Sequence, residues 1–593
     1  MKAEMKANKS GKIVDIIVIV VALCAIALIV TIGYVLLFGV NGELKYELND
    51  DGNSYSVVLD DSVYLSKKIR INIPRKHNGK PVTRIEGCAF SDHRLTRITI
   101  PNSITSIGSY AFSRCSELTS ISIPDSVKSI ESGAFSGCSG LTSITIPDSV
   151  ASIGERAFDC CSGLTSITIP NNVTSIGGQA FYGCSKLEKV IWNAENCSKA
   201  GSYSNSFSDG KFHVTDDTIF KGCSELTDVT IGEKVRVIPD YAFYDCRGLT
   251  NIKIPDSVTS IGGSAFSGCK GLTNIAISNS VTSIGGYAFS DCCGLTGITI
   301  PNSVTSIGRY AFEGCSGLTS IDIPDSVKSI ESGAFSGCSG LTSITISDGV
   351  VSIESYAFRD CCGITAITIP DSVKSIGYCA FKGCDSLENI VVSEGNANYK
   401  SVGDCLIEKE TKKLILGCNN SIIPNDDSIT SIENYAFLGC RGLTSITISD
   451  SVTSIGQLAF GNCSELKIVT IGSKVMNIGN SAFKGCSKLE KVVWNAENCS
   501  KAGSYSYSFL NGKIIVSDDT IFIGCSELID VIIGEKVKTI PDYTFSGCSG
   551  LTEITFIGTK EQWRNIVTGL YWNYNTGEYV VHCTDGNIKK GEY

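Results

Sequence analysis

Apolar and polar residues alternate along this chain with a period that is neither the 3.6 of a helix nor the 2 of a strand, but 23. Counting from a phenylalanine such as Phe112, apolar side chains fall at Leu118, Ile121, Ile123, Val127, Ile130 and Ala134, and the next phenylalanine is Phe135. The anchor recurs in 18 copies: Phe90, Phe112, Phe135, Phe158, Phe181, Phe220, Phe243, Phe266, Phe289, Phe312, Phe335, Phe358, Phe381, Phe437, Phe460, Phe483, Phe522 and Phe545. The 22 residues from Asp125 to Ile146 stand unchanged at Asp325 to Ile346. Within one copy, Leu141 to Ile146 is rich in β-branched residues and nearly alternating, which predicts a short strand. Pro147 ends it, because proline has no N–H to give to a ladder. Val150 to Ile153 reads as a second short extended piece, and Gly154 to Cys161 as a turn with one helical turn. No single copy buries its own apolar stripe; stacked copies do. The pattern therefore predicts an α/β-type solenoid of mostly short parallel strands.

Cysteine forms one of the ladders. It stands three residues after the phenylalanine in 17 of the 18 copies, with His93 as the exception, and this position absorbs most of the 28 cysteines. Parallel stacking puts neighbouring Cβ atoms near the coil spacing of about 4.8 Å, beyond the roughly 3.5–4.5 Å that a disulfide prefers. The expected role is thus a small buried hydrophobe. The motif CxxLxxIxIPxxVxxIxxxAF resembles the BspA-like leucine-rich repeats of bacterial and protist surface proteins, over about Pro74 to Gly586. The resemblance implies a leucine-rich repeat solenoid and a role in adhesion or host interaction.

In chain order, residues 1–15 carry Lys2, Lys6, Lys9 and Lys12 and read as a cytoplasmic N-terminus. Residues 16–40 are 25 without a charge, long enough for a transmembrane helix. With the lysines before them they predict a signal anchor, so that the protein is a single-pass membrane protein with its solenoid extracellular. A cleaved signal peptide is the rival reading, but the run is longer than the usual 7–15 residues and no A-x-A follows it. A lipoprotein is another, but Leu23 precedes Cys24. Residues 41–89 read as linker and N-terminal cap, with strands at Tyr55 to Leu59 and Ile69 to Ile73 and a tight turn at Asn78-Gly79. The solenoid proper covers 90–556 and 557–593 is a C-terminal cap, with a short helix at Thr559 to Thr568 and a strand at Tyr579 to Cys583. Inserts near 187–220 and 489–522 are nearly the same text, KVIWNAENCSKAGSYSNSF against KVVWNAENCSKAGSYSYSF, 302 residues apart. A third, near 388–424, contains Cys405 to Ile407 and Lys413 to Leu416 around a polar link. It reads as a hairpin projecting from the stack, with Cys405 and Cys418 as one option for closing it by a disulfide.

Catalytic chemistry finds little purchase. His77, His93, His213 and His582 are far apart, and no CxxC, HExxH, GxSxG, P-loop or GxGxxG occurs. No catalytic residue, cofactor site or metal site is expected, and the chain is read as not an enzyme. With 50 basic against 60 acidic residues and no basic stripe, nucleic acid is not an expected partner. The outward strand positions, such as Ser120, Ser122, Ser143 and Thr145, are small and hydroxylated, a composition that cross-strand packing alone also favours. Lys189, Lys491, Asp228, Asp530, Asn251 and Lys253 depart from it. Trp192, Tyr203, Trp494 and Tyr505 in the inserts are the candidate exposed aromatic contacts, against the alternative that they merely cover the coil below. The expected function is binding of an extracellular protein or glycan. The alternatives are a structural spacer or self-associating coat, an enzyme, and, most remote, an ice-binding array.

Overall fold

A computed structural model describes residues 40–41, 44–60, 68–201, 203–208, 211–216, 218–510 and 513–592. It falls into two compact units, Met1–Gly248 and Leu249–Tyr593. Each is a stack of coils. In the first unit, Ser120–Ser122 pairs in parallel with Ser143–Thr145, and Ser166–Ile169 with Lys189–Trp192, each residue opposite its counterpart one repeat on. A second parallel ladder runs through Ser106–Ile107, Ser129–Ile130, Ser152–Ile153 and Ser175–Ile176. The second unit repeats the scheme, with Ser320–Ile323 on Ser343–Ile346 and Ile468–Ile471 on Lys491–Trp494.

The turn of each coil is where the sequence reading needs correction. The expected helical turn is absent. Instead, the residues two before and two after the phenylalanine are left-handed: Tyr110 has φ +57° and Arg114 φ +58° around Phe112, and Gly133 and Gly137 have +64° and +73° around Phe135. Left-handed residues at both places break any helix and turn alternate N–H groups toward the next coil. Phe112 donates to Ala134 and Phe135 to Ala157, both at 2.7 Å. The rings stack in register, at 5.3 Å for Phe90 on Phe112 and 5.1 Å for Phe112 on Phe135. Among the described residues the one α-helix is Lys560–Arg564, in the C-terminal cap. It is closed by a capping box of Thr559 and Gln562 and buries Trp563. The fold is therefore a parallel β-solenoid with almost no helix, rather than an α/β-type one.

The strands and the tight turn expected near the two ends are present. Tyr55–Leu59 and Ile69–Asn72 are strands, and Lys76–His77 pairs antiparallel with Lys80 and Pro81 across Asn78 (φ +47°) and Gly79 (φ +79°), as a two-residue hairpin requires. Val580–Cys583 closes the other end against Gly586–Lys589. The single-pass anchor over 16–40 is not supported. No helix among the described residues is long and apolar enough to cross a membrane. Val40, its expected last residue, lies in a strand paired with Ile69, and 16–39 lies outside the described residues. The membrane localisation drawn from that segment falls with it.

The third insert also differs from its expectation. Cys405–Glu408 and Lys413–Leu416 do form an antiparallel pair. They do not project: Lys413 and Leu414 pair in parallel with Ser431 and Ile432, and Cys405, Leu406, Ile407 and Leu414 are fully buried. Their apolar faces are satisfied only inside the stack. Cys405 and Cys418 are both free.

Candidate functional site

Each strand buries alternate residues and leaves the others outside. Ser120, Ser122, Ser143 and Thr145 are exposed on either side of buried Ile121 and Ile144. Their hydroxyls make no hydrogen bond within the described residues. The hydroxyls one step earlier are already used: Thr296 donates to the Thr273 carbonyl at 3.3 Å, Thr319 to Thr296 at 3.3 Å and Thr342 to Thr319 at 3.1 Å.

The charged departures prove to be partners. Lys189 lies directly opposite Asp228, and their side chains meet at 2.6 Å. Lys491 and Asp530 repeat the contact at 2.7 Å. A long sequence step hides that these residues sit on adjacent rungs. Their common place eight residues after Phe181, Phe220, Phe483 and Phe522 was the signal that would have revealed it.

Of the four candidate aromatic contacts, the two tryptophans are core residues. Trp192 is 1% exposed and edge-on to Phe243 at 5.5 Å; Trp494 is fully buried and edge-on to Phe545 at 5.8 Å. Each stands eleven residues after its phenylalanine, where other repeats place isoleucine, and so points inward. Both indole Nε1 groups are buried without a hydrogen-bond partner among the described residues. Tyr203 and Tyr505 belong to hairpins that begin a few residues later. Tyr203–Ser208 pairs antiparallel with Lys211–Asp216, Tyr203 facing Asp216. Lys501–Leu510 pairs with Lys513–Thr520, Tyr505 facing Asp518. The entry to each hairpin is held by the stack, with Lys199 and Ala200 on Ser175 and Ile176, and Lys501 and Ala502 on Asn477 and Ile478. Among the described residues, the strands beyond those two residues pair only with each other.

The cysteine ladder is structural, as its spacing suggests. Cys115, Cys138 and Cys161 donate their thiols to the carbonyls of Phe90, Phe112 and Phe135, each at 3.1 Å. All the described cysteines are free of disulfides. Burial pushes the thiols of Cys138, Cys292 and Cys338 up to about 12, which keeps them neutral and unreactive.

Comparison with known proteins agrees with this architecture. The BspA type leucine rich repeat region matches over residues 83–211, 213–327, 305–426, 415–518 and 507–578. Among solved structures, the chain is similar to a leucine-rich repeat protein from Bacteroides ovatus, with 26% identity over 77% of this chain and 94% of that one and a TM-score of 0.42. It is similar to a leucine rich cell surface protein from Faecalibacterium prausnitzii, with 24% identity, 89% and 96% coverage and a TM-score of 0.37. A leucine-rich repeat protein from Eubacterium ventriosum matches at 21% identity, 59% and 92% coverage and a TM-score of 0.36. No curated protein matches.

Proposed function

The chain belongs to the BspA-type leucine-rich repeat family, and from that premise we propose that it is a binding protein without catalytic activity, engaging a protein or glycan in adhesion or cell–cell contact. A leucine-rich repeat solenoid is typical of non-enzymatic binding and scaffold proteins. The observation that carries the reading is the pair of hairpins. Each unit has one, at the same place in a duplicated block, and each leaves the stack after two paired residues. A two-stranded hairpin alone is marginal in water, so its duplication favours a use at the surface. Tyr203 and Tyr505 supply an amphipathic ring for contact, and the open hydroxyls of the strand face supply hydrogen bonds for a polar ligand.

The test is attachment of the full chain to immobilised extracellular matrix and to cells, with and without Tyr203→Ala and Tyr505→Ala together. The expected result is loss of attachment by the double variant at an unchanged melting temperature. Attachment that is equal in both, or absent in both, sinks the reading and favours the spacer or self-associating coat, for which the uniform hydroxyl face is the supporting feature.

A further inference from the structure

In the second unit, the coils from Phe266 to Phe381 are joined at their turns by three backbone rungs. Gly333, Phe335 and Gly337 donate to Ser355, Ala357 and Arg359 at 3.0, 2.9 and 2.7 Å. One coil on, Tyr356, Phe358 and Asp360 donate to Tyr378, Ala380 and Lys382 at 3.1, 2.8 and 2.7 Å. Then the series stops. The N–H groups of Cys379, Phe381 and Gly383 have no hydrogen-bond partner among the described residues. It resumes at Tyr435, Phe437 and Gly439, which donate to Gln457, Ala459 and Gly461.

The third insert causes the break. Its segment 413–418 stands in for a coil: Leu414 accepts from Glu433 at 2.9 Å as Ile353 accepts from Gly377, and Gly417 donates to Ala436 at 2.8 Å as Phe358 donates to Ala380. Ile353 and Phe358 are five positions apart, whereas Leu414 and Gly417 are three. The substitute coil is two residues short, and the missing residues are those of the turn. In their place a cleft of about 230 Å³ opens, with Tyr378, Cys379, Lys382, Leu416, Glu433 and Tyr435 among its lining. Its lining carries two lysines, Lys382 and Lys413, and two carboxylates, Glu408 and Glu433. Lys413 is paired with Glu433 at 2.9 Å. Lys382 lies 4.0 Å above the Tyr435 ring and has no carboxylate partner among the described residues. Tyr378, 51% exposed, meets Tyr435 edge to face at 6.3 Å.

We propose that this cleft receives an extended, acidic segment of a partner protein. The segment's backbone carbonyls take the rungs that Cys379 and Phe381 offer, in the manner of strand addition. One carboxylate side chain meets Lys382, and a neighbouring side chain packs on Tyr378 and Tyr435. About two residues are held, the number by which the substitute coil falls short. A peptide is favoured over other ligands because the vacant partners are backbone rungs, whose complement in the flanking coils at Phe358 and Phe437 is a peptide carbonyl. The inference rests on the reading of this chain as a binding protein, but uses a surface separate from the hairpins.

The test is hydrogen–deuterium exchange of the full chain in millimolar acetyl-Ala-Glu-Ala-amide, with acetyl-Ala-Gln-Ala-amide and methyl glucuronide as controls. The acidic peptide is expected to slow exchange in residues 378–384 by about tenfold or more, the neutral peptide to bind about tenfold more weakly, and the glucuronide to give no protection. Lys382→Gln removes the preference for Glu over Gln without changing exchange in the ligand-free chain, and Tyr203→Ala with Tyr505→Ala leaves peptide protection intact. No protection by either peptide overturns the proposal. Equal protection by the glucuronide also overturns it, as an anion site rather than a peptide site. In either case the hairpin experiment stands, because it reads a different surface.

Discussion

Phe335 and Phe381 hold the same place in the repeat and have different neighbours. Phe335 is stacked on both sides, on Phe312 at 5.3 Å and Phe358 at 5.5 Å, and its N–H donates to Ala357. Phe381 has the Phe358 ring at 5.5 Å on one side, and on the other the interrupted coil, toward which its N–H has no partner. Both rings are buried, at 0% and 4% exposure. The difference shows that a coil here is completed by the coils before and after it, and that burial alone does not report whether the rungs are made. The largest effect expected from this contrast is in the ring ladder. Phe335→Ala should cost about 3–5 kcal/mol, the usual range for a fully packed phenylalanine, and Phe381→Ala distinctly less because one of its walls is already open. Urea unfolding followed by tryptophan fluorescence checks this, and equal costs at the two sites would remove the distinction between complete and interrupted junctions.

The thiol ladder adds a pH dependence to the stack. In complete junctions the thiol is well seated: Cys338 donates to Phe312 at 3.2 Å and burial pushes it up to about 12 from an ordinary value of 9.0. At the interrupted junction Cys440 reaches only to Gly417, at 3.8 Å, yet burial raises its thiol as well, so the pH effect is shared by both kinds of junction. A raised thiol keeps its proton in the native state while the unfolded chain loses it. Between pH 9 and about 12 the native state therefore holds more protons, and stability falls as pH rises, by up to about 1.4 kcal/mol per pH unit for each such thiol. Below pH 9 the contribution is whole. Melting temperatures taken from pH 7.5 to 11 should fall steeply above 9, and replacing Cys138, Cys292 and Cys338 by alanine should make the fall shallower. An unchanged slope would mean that these thiols do not control it.

The repeat made most of the fold legible. Strand positions, both ladders and the cysteine role follow from which residues recur at which offset, because a residue in a solenoid has the same neighbours as its counterparts. Trp192 and Trp494 were misplaced by their residue type, since large aromatics with a polar tip suggest contact, although their offset matched Ile123 and Ile146 and required burial. The turn was misread because left-handed backbone at Tyr110, Arg114 or Asp360 leaves no single residue type as a signature; glycine, tyrosine, arginine and aspartate all occur there. The cleft was not legible at all. It arises from a two-residue deficit in a segment that has no counterpart elsewhere in the chain, so nothing in the sequence repeats with which to compare it.

A smaller effect is expected at Gly333, which has φ +64° and lies under the Tyr310 ring, as Gly133 lies under Tyr110. A Cβ there meets the ring at 2.1 Å, so Gly333→Ala combines backbone strain with a displaced tyrosine. It should cost about 1–3 kcal/mol. Adding Tyr310→Ala should recover the part due to contact and leave the part due to φ, which a double-mutant cycle on unfolding midpoints separates. Gly297, with nothing within 4 Å of its Cβ and ordinary φ, should accept alanine with little change.

The smallest effect belongs to the ion pairs on the strand face. Lys189 and Asp228 meet at 2.6 Å, but their side chains are 46% and 50% exposed, so water and salt screen the attraction and two long side chains must be held still. Asp228→Asn should change stability by about 0–1 kcal/mol, and less in high salt. Its consequence lies in charge rather than stability: the substitution leaves the Lys189 ammonium unpaired beside a row of open hydroxyls. If the strand face takes part in binding, the variant should attach more strongly to an acidic surface and lose that gain as salt rises. Attachment that is unchanged at every salt concentration would assign binding to the hairpins or the cleft and leave the hydroxyl face as packing alone.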